Sequence, residues 1–224
     1  MTRSAVAVGI DLGGTGTKLV AIDADGQVRG QATHATPRGC NPADALAFLT
    51  RHIAEVAGTH RIESIGIGAS GPIGQDGRIH NPDTLPAFTD ISLVDRLQGT
   101  YQAPVAIDTD AVAAALGEYR YGRTAPPRSM LVVTLGTGIG SCLLLDGTPF
   151  RGGDSTPPEG GHLTVPNAPP CYCGRPHCFE QALDDALTPL APWVPTAPIR
   201  ATQLGDLIGA LGAAELAARK STWR

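Results

Sequence analysis

The sequence predicts an α/β protein with two lobes, and three features lead to that prediction. Short apolar runs typical of buried strands alternate with helical patterns over the first half of the chain. A motif of strand, glycine turn and strand occurs twice, at residues 5–26 and 130–147. The 28 glycines and 19 prolines punctuate these segments, so they indicate tight turns, not disorder. We expect the lobes to comprise residues 1–122 and 123–224.

The first lobe begins with two apolar runs, at 5–10 and 18–23, which flank a glycine turn and end at an Asp25-Gly26 turn. Apolar residues then recur at helical spacing over 42–57, where Asn41 can cap the helix and Pro42 suits its first turn. Residues 65–67 and 105–107 read as buried strands, and 111–121 as an alanine-rich helix. The last helix has an acidic start.

The second lobe repeats the opening motif. Apolar runs at 130–134 and 139–145 flank a glycine turn at 135–138, and Asp146-Gly147 forms the next turn. Two such loops facing each other across a cleft offer backbone N–H groups to the phosphates of a nucleotide. One glycine loop is usually only a turn, but two of them with an acidic helix start between them favour phosphoryl transfer.

Four potential metal ligands crowd into residues 162–178. His162 precedes Cys171, Cys173 and Cys178, the three-thiolate, one-imidazole composition of a closed tetrahedral zinc site. Buried inert cysteines are the alternative, but those usually sit in apolar runs, whereas these lie among prolines and glycine. Disulfides are a second alternative. The odd count of five cysteines and the absence of a secretory segment disfavour them, so we expect zinc and a reducing cytoplasm.

Composition excludes several classes of function. The chain is 42% hydrophobic, and no apolar run approaches the roughly 20 residues that cross a bilayer. A net charge of −4 without a lysine or arginine cluster argues against a nucleic-acid partner. We therefore expect a globular protein that binds neither membranes nor nucleic acids.

Several motifs together resemble the ROK family of sugar kinases and sugar-responsive repressors. They are DLGGT at 11–15, Asp110 ahead of AAALGE at 113–118, GTGIG at 136–140, and EGGH at 159–162 with the cysteine cluster. The resemblance covers residues 5 to about 185. It implies an actin-like, ribonuclease H-like pair of lobes, with the sugar at the floor of the cleft and ATP above it.

The resemblance also implies roles for individual residues. Asp110 would be the base that accepts a proton from the sugar hydroxyl, and zinc would be structural, fixing the loop that presents the sugar contacts. The sugar-binding residues would be Thr109, Asp110, Glu159, His162 and Glu180. The residues that face phosphate would be Gly13, Gly14, Thr15, Lys18, Gly136, Thr137 and Gly138. Asp11 would help to hold Mg²⁺ with ATP or polyphosphate.

The chain departs from the family pattern at four internal positions. Thr109 and Thr84 stand where relatives usually have sugar-facing asparagines, and a hydroxyl cannot replace both functions of an amide. Gly16 and Ser141 look more like the glucokinases that use polyphosphate. The sugar contacts are therefore expected to differ from those of typical relatives, and the donor to be ATP or polyphosphate.

The carboxyl-terminal lobe is expected to be abbreviated. Only 44 residues follow Glu180, and although 204–218 resembles the family's final helix, the glycine-rich segment that cradles adenosine is not visible. A proline-rich stretch at 189–198 would be the junction of an internal deletion. Such a deletion would leave part of the second sheet as an edge, so we expect a homo-oligomer that covers it.

Two functions remain open from the sequence. The first is a hexose kinase acting on a sugar such as glucose or an N-acetylated hexosamine. The alternative is a sugar-binding sensor, or a kinase remnant without turnover. A DNA-binding repressor would need a winged-helix extension ahead of the first strand, which is expected to start at Ala5.

Overall fold

The computed structural model describes most of the chain as two β-sheets with helices packed on the larger one. The described residues are 4–89, 91–122, 125–135, 138–153, 157–166, 168–171, 173–179 and 201–220. The larger sheet contains β1 (Ala5–Leu12), β2 (Gly16–Ile22), β3 (Val28–Ala35), β4 (Arg61–Ala69) and β5 (Val105–Thr109). The smaller sheet contains β6 (Ser129–Leu135), β7 (Ile139–Leu145) and β8 (Thr148–Pro149). The helices are α1 (Pro42–Ala57), α2 (Leu93–Tyr101), α3 (Asp110–Tyr121) and α4 (Ile208–Lys220).

The larger sheet has the strand order β3-β2-β1-β4-β5. β1, β2 and β3 form an antiparallel meander, whereas β4 and β5 run parallel to β1. The carboxyl ends of the parallel strands β1, β4 and β5 therefore meet at one edge of the sheet, which is where open α/β sheets place their ligands.

Helix α1 begins and ends as its sequence predicts. The Asn41 side chain accepts a hydrogen bond from the Asp44 N–H at 3.0 Å, and Pro42 occupies the first turn. The buried face of α1, which includes Leu49 and Ile53, joins alternate residues of β1 and β4 in the main hydrophobic core. Gly58, with a φ of 55°, ends the helix.

The opposite face of the sheet carries α3 and α4 at unusually short range. A Cβ on Gly66 of β4 would lie 1.6 Å from the Ala213 carbonyl oxygen, and one on Gly9 of β1 would lie 1.9 Å from that of Ala210. A Cβ on Gly212 of α4 would lie 1.7 Å from the Ala113 carbonyl oxygen of α3. Glycines on three elements therefore let α4 dock with its backbone against the sheet and α3.

The smaller sheet repeats the hairpin architecture of the first three strands. β6, β7 and β8 form an antiparallel meander, and the β7–β8 turn uses Asp146 and Gly147, both at positive φ. Gly140 of β7 packs against Ala111 of α3, so the sheet adjoins the larger lobe at the start of that helix.

The structure confirms the predicted hairpins, strands and helices and adds three elements, β3, β8 and α2, which the sequence analysis does not assign. β3 is exposed at alternate positions, and Val28 is its only large apolar residue, which leaves a weak strand pattern. α2 is short and buries only Leu93 and Leu97. Among the described helices, none has the length and apolarity that crossing a membrane requires.

Candidate active site and metal centre

The first glycine loop lies between β1 and β2 and is hydrogen-bonded by Thr36, the residue that follows β3. Gly13 N–H donates to the Gly16 carbonyl at 3.1 Å. Thr36 donates its hydroxyl to the Gly13 carbonyl at 2.6 Å and its N–H to the Thr15 carbonyl at 3.2 Å. These bonds occupy carbonyl groups of the loop and fix its shape before any ligand arrives.

Gly14 lies against Thr84, which follows β4 in the chain. A Cβ on Gly14 would come within 2.3 Å of the Thr84 Cγ2 atom, so only glycine fits here. Asn81 shapes the same wall, because its Oδ1 accepts from the Thr84 N–H and its Nδ2 donates to the Ser70 carbonyl, both at 3.1 Å. The structure thus places Thr84 beside the predicted phosphate loop.

Ser70 connects this loop to the predicted catalytic carboxylate. Ser70 follows β4 and Asp110 follows β5, and the strand register pairs Ala69 with Thr109. The Ser70 hydroxyl donates to Asp110 Oδ2 at 2.8 Å, while its N–H donates to the Leu12 carbonyl at 3.1 Å, one residue before the glycine loop. Asp110 and the loop therefore share one support.

Asp110 is a partly buried carboxylate at the first position of α3. Its Oδ1 accepts from the Ala111 N–H at 2.7 Å. Burial raises the pKa of Asp110 above the ordinary aspartate value, although the hydrogen bonds from Ser70 and from backbone N–H groups act in the opposite direction. The result is a fixed carboxylate with increased affinity for a proton.

Asp11 is a second partly buried carboxylate, close enough to interact with Asp110. Burial first, and the charge of Asp110 second, raise the pKa of Asp11 to about 6, against a lowering effect from Lys18 on β2. Asp11 Oδ2 would lie 2.6 Å from a Cβ on Gly209, so its carboxylate contacts the amino-terminal turn of α4. Two neighbouring carboxylates suit a hard divalent cation.

The two other polar residues at the end of β5 have structural partners. The Thr109 hydroxyl accepts from the Val112 N–H at 3.3 Å and caps α3, and Thr109 is 8% exposed. Asp108 is paired with Arg151, which lies just beyond β8, and so ties the smaller sheet to β5. Asp110 is therefore not the residue that caps its helix, while a sugar contact from Thr109 remains a prediction.

Glu159 and His162 belong to a 3₁₀ turn that β7 supports. Gly160 of the turn (Gly160–His162) donates its N–H to the Ser141 hydroxyl at 2.9 Å, and that hydroxyl donates to the Pro158 carbonyl at 3.2 Å. Since Gly140, the residue before Ser141, packs on Ala111, β7 links this turn to the start of α3. The same strand therefore contacts both the predicted sugar-binding segment and the helix that begins with Asp110.

The four predicted metal ligands come together as a compact group. His162, Cys171, Cys173 and Cys178 place their ligand atoms within 4.8 Å of one another. The Cys171 sulfur lies 3.8 Å from His162 Nδ1, and the Cys173 and Cys178 sulfurs are 3.7 Å apart. A tetrahedral zinc ion with Zn–S bonds of about 2.3 Å separates its sulfur ligands by about 3.8 Å, so this group fits zinc.

The loop around this group is folded by its own backbone bonds. Cys171 N–H donates to the Arg175 carbonyl at 3.1 Å, and Gly174 N–H donates to the Cys171 carbonyl at 3.0 Å. Gly174 and His177 both have positive φ, which turns the chain back so that Cys178 pairs with Thr164. This turn and the β-bridge together bring the three cysteines and His162 close to one another.

Most of the site residues predicted from the sequence lie in two regions, the surroundings of the first glycine loop and Asp110, and the cysteine loop with the turn before it. Gly13, Gly14, Thr15, Lys18 and Asp11 lie in or beside the first glycine loop, and Gly138 lies just before β7. Gly136, Thr137 and Glu180 lie outside the described residues, so their predicted roles are untested. The sequence analysis missed Ser70, Asn81, Thr36 and Arg151. Ser70 could have been predicted, since it follows the parallel strand β4, and Asp110 follows the neighbouring parallel strand β5.

Comparison with known proteins identifies the class of this fold and site. The family model described as "ROK family" matches residues 7–190, and the chain belongs to this family. A glucokinase of Halalkalibacterium halodurans is 34% identical over 185 residues, which cover 77% of this chain and 54% of that protein. The chain thus spans about half the length of this relative.

Two solved structures show the corresponding fold. A ROK hexokinase from Thermus thermophilus superposes with a TM-score of 0.80 at 25% identity, covering 97% of this chain and 99% of that one. A ROK family glucokinase from Streptomyces griseus, in complex with glucose and AMPPNP, superposes with a TM-score of 0.66 at 29% identity. The match covers 79% of this chain and 56% of that one. The predicted actin-like α/β fold is confirmed, and between residues 125 and 179 the described part of the chain forms a three-stranded sheet and the cysteine loop.

Proposed function

We propose that this chain is a sugar kinase that transfers a phosphoryl group from ATP or polyphosphate to a hexose such as glucose or an N-acetylated hexosamine. One observation carries the proposal: a partly buried carboxylate, Asp110, is held by Ser70 beside a hydrogen-bonded glycine loop at the carboxyl ends of β4 and β5. The glucose and AMPPNP of the S. griseus relative agree with this choice of acceptor and donor.

In this mechanism Asp110 is the general base. A sugar hydroxyl oxygen attacks the terminal phosphorus, the bond from that phosphorus to its bridging oxygen breaks, and Asp110 accepts the hydroxyl proton. Burial raises the pKa of Asp110 and so strengthens it as a proton acceptor, while the Ser70 hydrogen bond fixes the carboxylate's orientation. The products are the sugar phosphate and the shortened donor.

The glycine loop and Asp11 would receive the phosphates and their cation. Because Gly14 has no side chain, phosphate oxygens can approach the N–H groups of Gly14 and Thr15. Lys18 of β2, which pairs with Asp11 of β1, adds a positive charge. Asp11 fits Mg²⁺ because its carboxylate is a hard oxygen ligand with a second carboxylate, Asp110, close by. When bound, Mg²⁺ supplies neutralisation of phosphate charge.

Zinc in the cysteine loop would be structural. Three thiolates and one imidazole complete a tetrahedron and leave no position for a substrate. His162 ends the turn that starts after Glu159, so an ion held there fixes the segment carrying Glu159. Glu159 and His162, with Glu180, would then contact the sugar hydroxyls.

Self-association forms part of the proposal. The outer face of β6 exposes Leu131, Val133 and Leu135, which are 64%, 46% and 64% exposed. β6 is also an edge strand of the smaller sheet in the described part of the chain. A second chain that covers this face would bury apolar surface, and light scattering tests it: a dimer or larger species supports association and a monomer opposes it.

A sugar-binding protein without turnover is the second candidate. One observation favours it: the Thr109 hydroxyl accepts a hydrogen bond from the Val112 N–H and so is engaged in capping α3. In this case the glycine loop and carboxylates would persist while transfer fails.

Mass spectrometry of sugar phosphates separates the two candidates. Zinc-loaded protein is incubated with Mg²⁺, ATP or polyphosphate, and a panel containing glucose, mannose and N-acetylmannosamine. The kinase proposal predicts sugar phosphate that disappears when Mg²⁺ is chelated. Sugar binding by calorimetry without product from any pair of sugar and donor would establish the second candidate.

A further inference from the structure

A second cluster of potential metal ligands lies on β3 and α1, outside the cysteine loop. His34 projects from β3, and His52 and Glu55 lie three residues apart on α1. Their ligand atoms all lie within 4.8 Å of one another. In the described part of the chain, only this group and the cysteine group bring three or more such ligands together.

We propose that His34, His52 and Glu55 form a second binding site for a divalent transition-metal ion, with Zn²⁺ as the probe. Two imidazoles and one carboxylate are ligands that zinc accepts, and imidazole also suits Ni²⁺ and Cu²⁺. With three protein ligands, a water molecule would complete the tetrahedron. This site is open, in contrast to the closed cysteine site.

The ligand atoms are already close to the spacing that an ion requires. His52 Nδ1 lies 2.7 Å and His34 Nε2 lies 3.1 Å from the same atom, Glu55 Oε2. Ligands about 2.0–2.1 Å from a tetrahedral ion are about 3.3 Å apart. Glu55 and the two rings therefore need only small shifts, and their facing protons are displaced by the ion.

The two rings must turn to converge on one ion. They are stacked, with centroids 3.5 Å apart and an angle of 22° between their planes. The ring torsion of histidine is broad, so each ring can redirect its nitrogen without a backbone movement. Phe48 contacts the His52 ring edge to face at 4.7 Å and limits how far that ring swings.

The exposure of the three side chains matches a surface site that solvent can reach. The side chains of His52, His34 and Glu55 are 13%, 28% and 50% exposed. The imidazoles are thus partly withdrawn from water, whereas the carboxylate side remains open to an entering ion and its water ligand.

An ion at this position would join β3 to α1 near the phosphate loop. His34 precedes Thr36 by two residues, and Thr36 hydrogen-bonds to both Gly13 and Thr15. Metal binding would therefore stabilise the position of β3, whose following residue, Thr36, hydrogen-bonds to the glycine loop. Because zinc would bind the folded state preferentially, it would also raise the melting temperature.

Calorimetric titration tests this site in the full chain. The protein is first passed over a chelating resin and its retained zinc is measured, so that the cysteine site is accounted for. Zn²⁺ is then titrated into wild type, His34→Gln, His52→Gln and the control His60→Gln. His60 is an exposed histidine that hydrogen-bonds to Ser4 and lies outside the cluster.

We expect one further ion per chain in wild type and in His60→Gln, with affinity reduced roughly tenfold or more in each of the other variants. The zinc-induced rise in melting temperature should shrink in the same two variants. The proposal is overturned if wild type binds no further ion, or if His34→Gln and His52→Gln bind it with wild-type affinity and the same thermal shift.

Discussion

At the residue scale, function and stability conflict at two carboxylates. Asp11 and Asp110 are both partly buried, and this burial, followed by the charge of Asp110, raises the pKa of Asp11. A fold without a ligand would be more stable without one of these charges. Their proximity makes sense at a site whose occupant brings a cation and whose reaction releases a proton.

The conflict predicts that Asp11→Asn stabilises the ligand-free protein at neutral pH. The pKa of Asp11 rises from 3.8 to about 6 on folding, so its stabilising contribution is complete below pH 3.8 and is lost as pH rises through about 6. The free energy of unfolding of Asp11→Asn should therefore increase relative to that of wild type as pH rises from 4 to 7. The difference should reach roughly 2 to 3 kcal/mol.

Denaturant unfolding of both proteins at pH 4, 5, 6 and 7.5 measures this difference. Asp25→Asn, in the exposed turn between β2 and β3, is the matched control and should show no such widening. A difference between Asp11→Asn and wild type that is constant with pH, or a variant that is less stable at pH 7.5, would contradict the assignment.

At the element scale, α4 depends on glycine contacts with the larger sheet. The Ala213 carbonyl occupies the position that a side chain at Gly66 would need, at 1.6 Å from the ideal Cβ. Because the neighbouring atom is backbone, relief requires α4 or β4 to move. The α4 amino terminus also contacts Asp11, so docking of this helix and the shape of the site are coupled.

Gly66→Ala should therefore destabilise the protein strongly. We expect a loss of about 3 kcal/mol or more, and a melting temperature lower by about 6 °C or more. The control is Gly99→Ala in α2, where no atom lies within 4 Å of the added methyl group and helix propensity favours alanine by about 0.5–1 kcal/mol. Equal melting temperatures for the two variants would refute close docking of α4.

The cysteine loop is the second element whose order depends on one interaction. Its described residues contain turns and one isolated bridge but little apolar burial, so a bound ion would supply most of the cohesion. Cys173→Ser should lower zinc content from about one ion per chain to near zero and reduce the melting temperature.

Metal analysis and thermal denaturation test the cysteine prediction together. Cys40→Ser is the control, because Cys40 packs beside the main core and is separate from the four ligands. Cys40→Ser should keep its zinc. If Cys173→Ser retains as much zinc as the control and melts at the same temperature, the loop is not a zinc site.

At the scale of the whole molecule, local signals predicted the elements better than their assembly. The Asn41-Pro42 cap, the repeated glycine hairpins and the cysteine cluster are short-range patterns, and the structure contains all of them. The position of α4 could not be read locally, because it depends on glycines in β1, β4 and α4 that come into contact with other elements only after folding.

The candidate site was likewise only half visible in the sequence. Asp110 and the cysteine ligands belong to recognisable motifs, whereas Ser70 and Asn81 act through their position at a strand end and a following turn. The cluster of His34, His52 and Glu55 joins β3, an edge strand with a weak sequence pattern, to α1. The spacing of these residues in the sequence does not predict that they meet. Division of the chain into lobes after residue 122 remains a prediction, while α4 packs on the larger sheet.

The central claim is that Asp110 is the base for phosphoryl transfer to a sugar. The most direct test compares sugar phosphate formation and glucose affinity in wild type, Asp110→Asn and the Asp25→Asn control. We predict turnover at least about 100-fold lower in Asp110→Asn and glucose affinity within about threefold of wild type. Turnover at the wild-type rate in Asp110→Asn, or no turnover in wild type with any donor, would contradict the claim.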